Sequence, residues 1–204
     1  NVNVSILDIG ISNIFSLKSN IESLGYNVKI INHNSELDKA DKIIFPGVGS
    51  FKAAMSRISD LNLHESLYDN IIIKKKIFLG ICVGMQVLAK NGYEMGDHKG
   101  LGFVKGEVKN LKELGCSLQI PHVGWNHVFL KKNEITKNIP QNSDFYFIHS
   151  YAFTGLEDKN IIGTTEYDFN IISIINENNI FGTQFHPEKS SKSGKILIKN
   201  FLEI

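Results

Sequence analysis

Cysteine is scarce in this chain: there are two in 204 residues, Cys82 and Cys116. That rules out a disulfide framework and leaves any reactive thiol free, as in a reducing compartment. Neither sign of charge is in excess, with 22 Lys and Arg against 21 Asp and Glu, so neither nucleic acid nor a membrane surface is expected as a partner. No apolar run approaches the roughly 20 residues that span a bilayer. The opening NVNVSILDIG carries no basic leader or cleavage site, and a cytoplasmic protein is expected. The four prolines, Pro46, Pro121, Pro140 and Pro187, build no linker. A single arginine, Arg57, stands against 21 Lys, 29 Ile and 21 Asn, a bias that AT-rich codon usage explains and that carries no function. Both C-x-x-C and H-E-x-x-H are missing, and His122 and His127 flank Trp125 without metal-ligand spacing. Neither a metal nor another cofactor is expected.

What is present is an ordinary globular composition, 42% hydrophobic and 21% charged, at a length that suits one domain over residues 1–204. Residues 3–10 and 26–31 read as strands around a helix over 16–24 that stops at Gly25. Residues 42–49 read as a buried strand entering a Gly-rich loop, 52–70 as helical, 76–82 as another buried strand, and 85–90 as the start of a helix. Strands that are apolar throughout and separated by helices predict a mostly parallel sheet covered on both faces. Beyond residue 100, strand-like segments joined by turns predict antiparallel or mixed sheet, and 192–204 predicts a closing amphipathic helix. The expectation is a single α/β domain.

The strongest local pattern is Gly80-Ile81-Cys82-Val83-Gly84, a G-x-C-x-G between a buried strand and a helix. With serine at its centre this pattern is the nucleophile elbow, whose tight turn strains the central residue and lifts its side chain from the carboxyl edge of the sheet. A helix N-terminus at that point favours thiolate over thiol. The bland alternative is a buried structural cysteine between turn glycines. A thiolate nucleophile needs a base, and His186-Pro187-Glu188 offers one. Pro187 keeps His186 extended, and residues two apart in extended chain share a side, so Glu188 can hold the imidazole against Cys82. Alone, the same residues read as a loop histidine beside a solvated glutamate. Donors for an oxyanion are the backbone N–H groups of Val83 at the elbow and of Val48 in Pro46-Gly47-Val48-Gly49, whose glycines permit a peptide flip. That loop is equally an ordinary strand-ending turn. Cys116 has no motif around it.

Taken in order along the chain, PGVGSF, GICVGMQ, HKGLG, IPHVGWN, FYFIHSY, GTTEY and GTQFHPEKS resemble the glutaminase subunits of imidazole glycerol phosphate synthase, within the class I glutamine amidotransferases. The resemblance implies a class I amidotransferase fold and a glutaminase that takes L-glutamine to glutamate and ammonia. It implies a heterodimer in which ammonia passes to a (β/α)8-barrel synthase subunit that makes imidazole glycerol phosphate for histidine biosynthesis. Matched position by position, Cys82 is the nucleophile, His186 the base and general acid, and Glu188 its orienter. Gln86 and Glu94 match positions that hold the amino-acid end of the substrate, and Gly49, Ser150 and Tyr151 line the same pocket. Trp125, Tyr146 and Lys189 match positions facing the synthase subunit; otherwise the two aromatics read as core and Lys189 as a surface charge.

The family usually opens with Asp-Tyr-Gly and a Gly-Asn pair, where this chain has Asp8-Ile9-Gly10 and Ser12-Asn13. That segment lies near the partner-facing end, so a paralogous glutaminase feeding a sugar-modifying amidotransferase of surface-glycan synthesis is the alternative. Two readings come from other classes. A catalytically silent regulatory subunit is expected to have lost Cys82, His186 or Glu188. A cysteine hydrolase of similar fold is weighed against by Gln86, Glu94 and the PHVGWN segment.

Overall fold

Four apolar segments of the first half become neighbouring strands: β1 (Val4–Leu7), β2 (Val28–Ile31), β3 (Lys42–Gly47) and β4 (Ile77–Cys82). In the computed structural model, which describes residues 2–204, they pair in parallel in the order β2-β1-β3-β4. Strands β1 and β3 are buried at every position and β4 at all but its first, which is why they are predominantly apolar instead of alternating, with Ser5 and Lys42 the exceptions. Helix α1 (Phe15–Ser23) turns Leu17 and Ile21 inward between β1 and β2. The short α2 (Asn34–Leu37) precedes β3. Helix α3 (Phe51–Asp60) starts at Ser50, whose hydroxyl accepts from the Ala53 N–H at 3.0 Å, capping an otherwise orphaned donor.

Two helical expectations need correction. Residues 52–70 are not one helix but α3, α4 (His64–Leu67) and a π-helical turn over Tyr68–Ile73, the first break falling where Asn62 takes a φ of +56°. The helix after β4 is a single turn, α5 (Val83–Gln86). It stops because the Val87 and Leu88 carbonyls accept from Leu101 at 2.7 Å and Phe103 at 3.0 Å instead of from a further helical turn.

The second half supplies β5 (Asn91–Gly92), β6 (His98–Lys99), β7 (Glu107–Asn110), β8 (His122–His127) and β9 (Phe129–Leu130). Then come β10 (Asp144–His149), β11 (Tyr151–Thr154), β12 (Ile161–Glu166), β13 (Asn170–Glu177) and β14 (Ile180–Thr183), before α6 (Ser191–Glu203). Strands β14, β13, β12 and β9 extend the first sheet past β4 to eight strands; β14 is parallel to β4 and the rest antiparallel. Strands β8 and β10 form a separate antiparallel ribbon, and β11, β7, β5 and β6 a small sheet of their own. The mixed second half is thus as expected, apart from residues 100–106, which pair in no strand. Phe45, Phe51 and Phe78 fill one core, while Phe145, Phe147, Phe185 and Phe201 fill the other. Buried Lys42 donates to the Phe201 and Leu202 carbonyls at the end of α6, closing that helix with a cation. No helix among the described residues is long and apolar enough to cross a membrane.

Because β14 lies beside β4, the residues that follow these two strands meet at one carboxyl edge of the sheet, where open α/β sheets hold their ligands.

Candidate active site

The turn out of β4 is strained at its centre. Cys82 adopts φ +57° and ψ −114°, a conformation that side chains with a Cβ avoid. Close packing around it accounts for the glycines: a Cβ on Gly84 would lie 1.9 Å from the Phe45 carbonyl oxygen, and one on Gly80 2.4 Å from the Gly84 oxygen. The backbone of α5 therefore touches β3 and β4 directly. Gly84→Ala is expected to destabilise the fold by about 1–3 kcal/mol or more through overpacking, read as a lower urea midpoint. An unchanged midpoint would contradict the proposed tightness of the turn.

His186 leaves the sheet after β14, and its Nδ1 meets Glu188 Oε1 at 2.8 Å with both side chains buried. The local conformation differs from the expected extended one. His186 itself is extended, but Pro187–Lys189 form a 3-10 turn, because proline is preorganised for the first position of a helical turn. His186 Nε2 and Glu188 Oε2 are buried without a hydrogen-bond partner, which is rare for interior polar atoms. Burial works against a charge on His186, yet its interactions with the Cys82 thiol and the Glu188 carboxylate outweigh burial and raise its pKa well above the usual histidine value.

Cys82 opens into a cavity of about 410 Å³ lined by Gly49, Gln86, Glu94, Ser150 and Tyr151, all five expected substrate positions. Glu94 reaches it from beyond β5, and its Oε1 accepts from the Phe51 N–H at 3.1 Å, at the first turn of α3. Gln86, on the last residue of α5, donates to the Tyr151 carbonyl at 3.1 Å. The site thus places the Cys82 thiol, Gln86 and Glu94 around one amino-acid-sized hollow, with the His186–Glu188 pair buried beside it.

The family model for class-I glutamine amidotransferase matches residues 5–204. The chain belongs to this family. Among curated relatives, the imidazole glycerol phosphate synthase subunit HisH 2 of Methanococcus maripaludis is 42% identical over 201 residues, covering 98% of each chain. The subunit HisH of Buchnera aphidicola is 43% identical over 202 residues, 98% of this chain and 99% of that one. That of Leptospira interrogans is 39% identical over 204 residues, 98% and 100%. Among solved structures, PurLQS from Thermotoga maritima superposes with a TM-score of 0.77 at 18% identity, covering 99% of this chain and 98% of that chain. A glutamine amidotransferase from the same organism gives 0.68 at 17% identity, over 99% and 83%.

One expected element of this class-I amidotransferase is arranged differently. Val48 follows β3 beside the elbow, as expected from the Gly47 and Cys82 pairing, but its N–H donates to the Ile11 carbonyl at 3.0 Å. It is therefore committed elsewhere, and only a rotation of the Gly47–Gly49 backbone would turn it to an oxyanion. Val83 remains where expected, directly after Cys82 as the first residue of α5.

Outside the cavity, Trp125 on β8 and Tyr146 on β10 pair across the ribbon, their rings edge to face with centroids 5.9 Å apart. Trp125 is 54% exposed, so the core reading of it fails. Val123 and Ile148 continue the same outward apolar face, and Lys189 is exposed in the turn after His186. The Tyr146 backbone accepts from the His186 N–H at 3.0 Å and its own N–H donates to Ser190 Oγ at 2.9 Å. A single residue of the ribbon thus holds the turn that carries His186.

Residues not singled out by role from the sequence also surround the site. Gln184 is wholly buried and lies 3.7 Å from the Cys82 sulfur. His149, buried in the cavity wall, lies 2.9 Å from buried His122. The available signal for Gln184 was its place two residues before His186 at the end of a strand.

Proposed function

We propose that this chain is the glutaminase subunit of imidazole glycerol phosphate synthase, with Cys82, His186 and Glu188 as its catalytic triad. The observation that carries the assignment is the strained Cys82, opening into the cavity, beside a buried His186–Glu188 pair at the carboxyl ends of two adjacent parallel strands. The three relatives described above share that subunit name at 39–43% identity, which favours the histidine pathway over the surface-glycan alternative. A silent regulatory subunit is disfavoured because all three triad side chains are present and the basic ring is already engaged by its carboxylate.

The chemistry follows from these positions. The Cys82 thiolate adds to the carboxamide carbon of glutamine, forming a C–S bond while the carbonyl π pair moves to oxygen. His186 gives a proton to the nitrogen, the C–N bond breaks, and ammonia leaves a thioester. Water then attacks, losing its proton to His186; the C–S bond breaks, and glutamate and the thiolate are restored. Glu188 keeps the imidazole aligned and stabilises its charge throughout. Glu94 and Gln86 present acceptors to the substrate ammonium group, and backbone at Gly49, Ser150 and Tyr151 closes the pocket. Val83 supplies one oxyanion N–H.

The second oxyanion donor is where regulation enters. While Val48 N–H is bonded to Ile11 the free chain is expected to be slow. The apolar face of Val123, Trp125, Tyr146 and Ile148, with Lys189 at its edge, is the docking surface for the (β/α)8-barrel subunit. Docking of that subunit with its own ligand bound is expected to free Val48 and raise glutamate release by about 10²–10³-fold, the value of one oxyanion donor. The test measures glutamate from the chain alone, with the histidine-pathway barrel and its aminoimidazole-bearing ribonucleotide, and with a surface-glycan partner. Full turnover by the isolated chain would refute the gating, and stimulation by the second partner alone would reassign the pathway.

A further inference from the structure

Two side-chain amides behind the nucleophile have their orientation fixed by what they meet. The Tyr151 carbonyl can only accept, so the end of Gln86 that lies 3.1 Å from it is the NH₂ group. The same nitrogen lies 3.1 Å from the side chain of Gln184, which must present its oxygen there. The other end of Gln184 is then Nε2, and it sits 3.7 Å from the Cys82 sulfur. Among the described residues, that sulfur is the one acceptor its N–H groups meet.

A second chain of bonds ends on the same carbonyl. His149 Nδ1 is 2.9 Å from the Tyr151 oxygen and must donate to it, so His149 Nε2 accepts from His122 Nδ1 at 2.9 Å, and His122 Nε2 accepts from Asn126 at 3.2 Å. Burial lowers the pKa of His122 to about 4 and that of His149 to about 3, so both rings are neutral and each keeps a single tautomer. With both lone pairs of the Tyr151 oxygen occupied, Gln86 has no alternative arrangement, and neither has Gln184.

We infer that Gln184 is a further catalytic residue of this amidotransferase, its side-chain N–H held on the Cys82 sulfur so as to favour the thiolate. The inference rests on the glutaminase reading. The sulfur carries negative charge before it attacks glutamine and again when the thioester C–S bond breaks; between these events it is uncharged. A fixed donor therefore assists the resting state and the release of glutamate. Besides His186, a further polar neighbour of the sulfur, the Ile148 carbonyl at 3.9 Å, accepts only from the thiol and gives the thiolate nothing. A merely structural amide would be satisfied by backbone, whereas here Gln184 is spanned between Gln86 and the nucleophile.

The test uses the full chain in a Cys116→Ala background and follows alkylation of Cys82 by iodoacetamide at neutral pH, a reaction that needs neither glutamine nor a partner. Gln184→Met, of similar shape but without a donor, is expected to slow alkylation about tenfold, as for a hydrogen bond to a charged group. It is also expected to lower kcat for glutamine in the complex while KM moves less than about threefold. Gln184→Glu keeps the acceptor for Gln86 but sets a carboxylate on the sulfur, and is expected to be slower than Gln184→Met in both assays. Ammonium-driven synthesis by the complex reports folding and docking of each variant. Alkylation within twofold of the parent in both folded variants overturns the inference. Should neither variant fold, the side-chain amide protons of Gln184 in ¹⁵N-glutamine-labelled parent protein decide: they are expected to shift when Cys82 is alkylated, and their failure to move overturns it. Absence of glutaminase activity in the parent would sink the functional assignment instead, leaving the alkylation contrast to judge Gln184.

Discussion

Cys82→Ala is expected to reduce glutamine hydrolysis by on the order of 10⁴-fold or more, the scale of losing a covalent nucleophile, while the complex supplied with an ammonium salt still makes product. The reason is a division of labour. On the proposed reading the sulfur is needed only to detach ammonia, and the barrel subunit performs everything after it. Alanine at the elbow removes a single sulfur that borders the cavity on one side, a small loss of packing for the buried turn. Glutamate release and ammonium-dependent product formation, measured on one preparation, separate the two functions. Glutamine turnover at the parent rate in this variant would end the nucleophile assignment, and loss of the ammonium-driven reaction would point to damaged docking. Alkylation should mark Cys82, which opens into the cavity, before Cys116, which lies buried against Leu111, Ala152 and Ile171.

The second large effect is an order between His186 and Glu188. His186→Ala is expected to approach the loss seen for Cys82, because the imidazole moves a proton in both halves of the reaction, whereas Glu188→Gln is expected to lose roughly 10- to 100-fold less. The pH dependence carries the sign. Glu188 is one of the two groups that hold the proton on His186 against burial. Its carboxylate removed, the imidazolium gives up its proton at lower pH, and the alkaline limb of the kcat/KM profile moves downward. Equal activity of His186→Ala and the parent, or an alkaline limb that stays in place for Glu188→Gln, would contradict the triad.

The elbow was legible because its geometry is dictated locally: glycines at 80 and 84 permit a close approach of backbones that any Cβ would block. The His186 and Glu188 pair was legible for a similar reason, although the turn between them was misjudged as extended. Val48 was not. Its N–H is taken by Ile11, a residue 37 positions earlier in a separate loop, and no local pattern encodes a bond of that kind. The length of α5 failed for the same cause, since the Val87 and Leu88 carbonyls that follow it are satisfied by residues 101 and 103. The roles of His122 and His149 were hidden as well. As isolated histidines they carry no motif, and only the pairing of β8 with β10, His122 opposite His149, makes them neighbours.

The insertion of β14 between β4 and β13 has a bearing on how the polypeptide is made. Cys82 precedes Gln184 by 102 residues, and at synthesis rates of about 5–20 residues per second the nucleophile leaves the ribosome roughly 5–20 s before its donor and its base. Throughout that interval β4 has no partner on one side and presents an open edge of backbone donors and acceptors, the kind of surface that recruits stray strands. Until His186 emerges the nascent chain carries Cys82 without its proposed base, so on that reading it cannot waste glutamine. Its hazard is aggregation, and the emergence of β14 with the residues after it both seals the edge and, on the proposed reading, completes the site in one docking event.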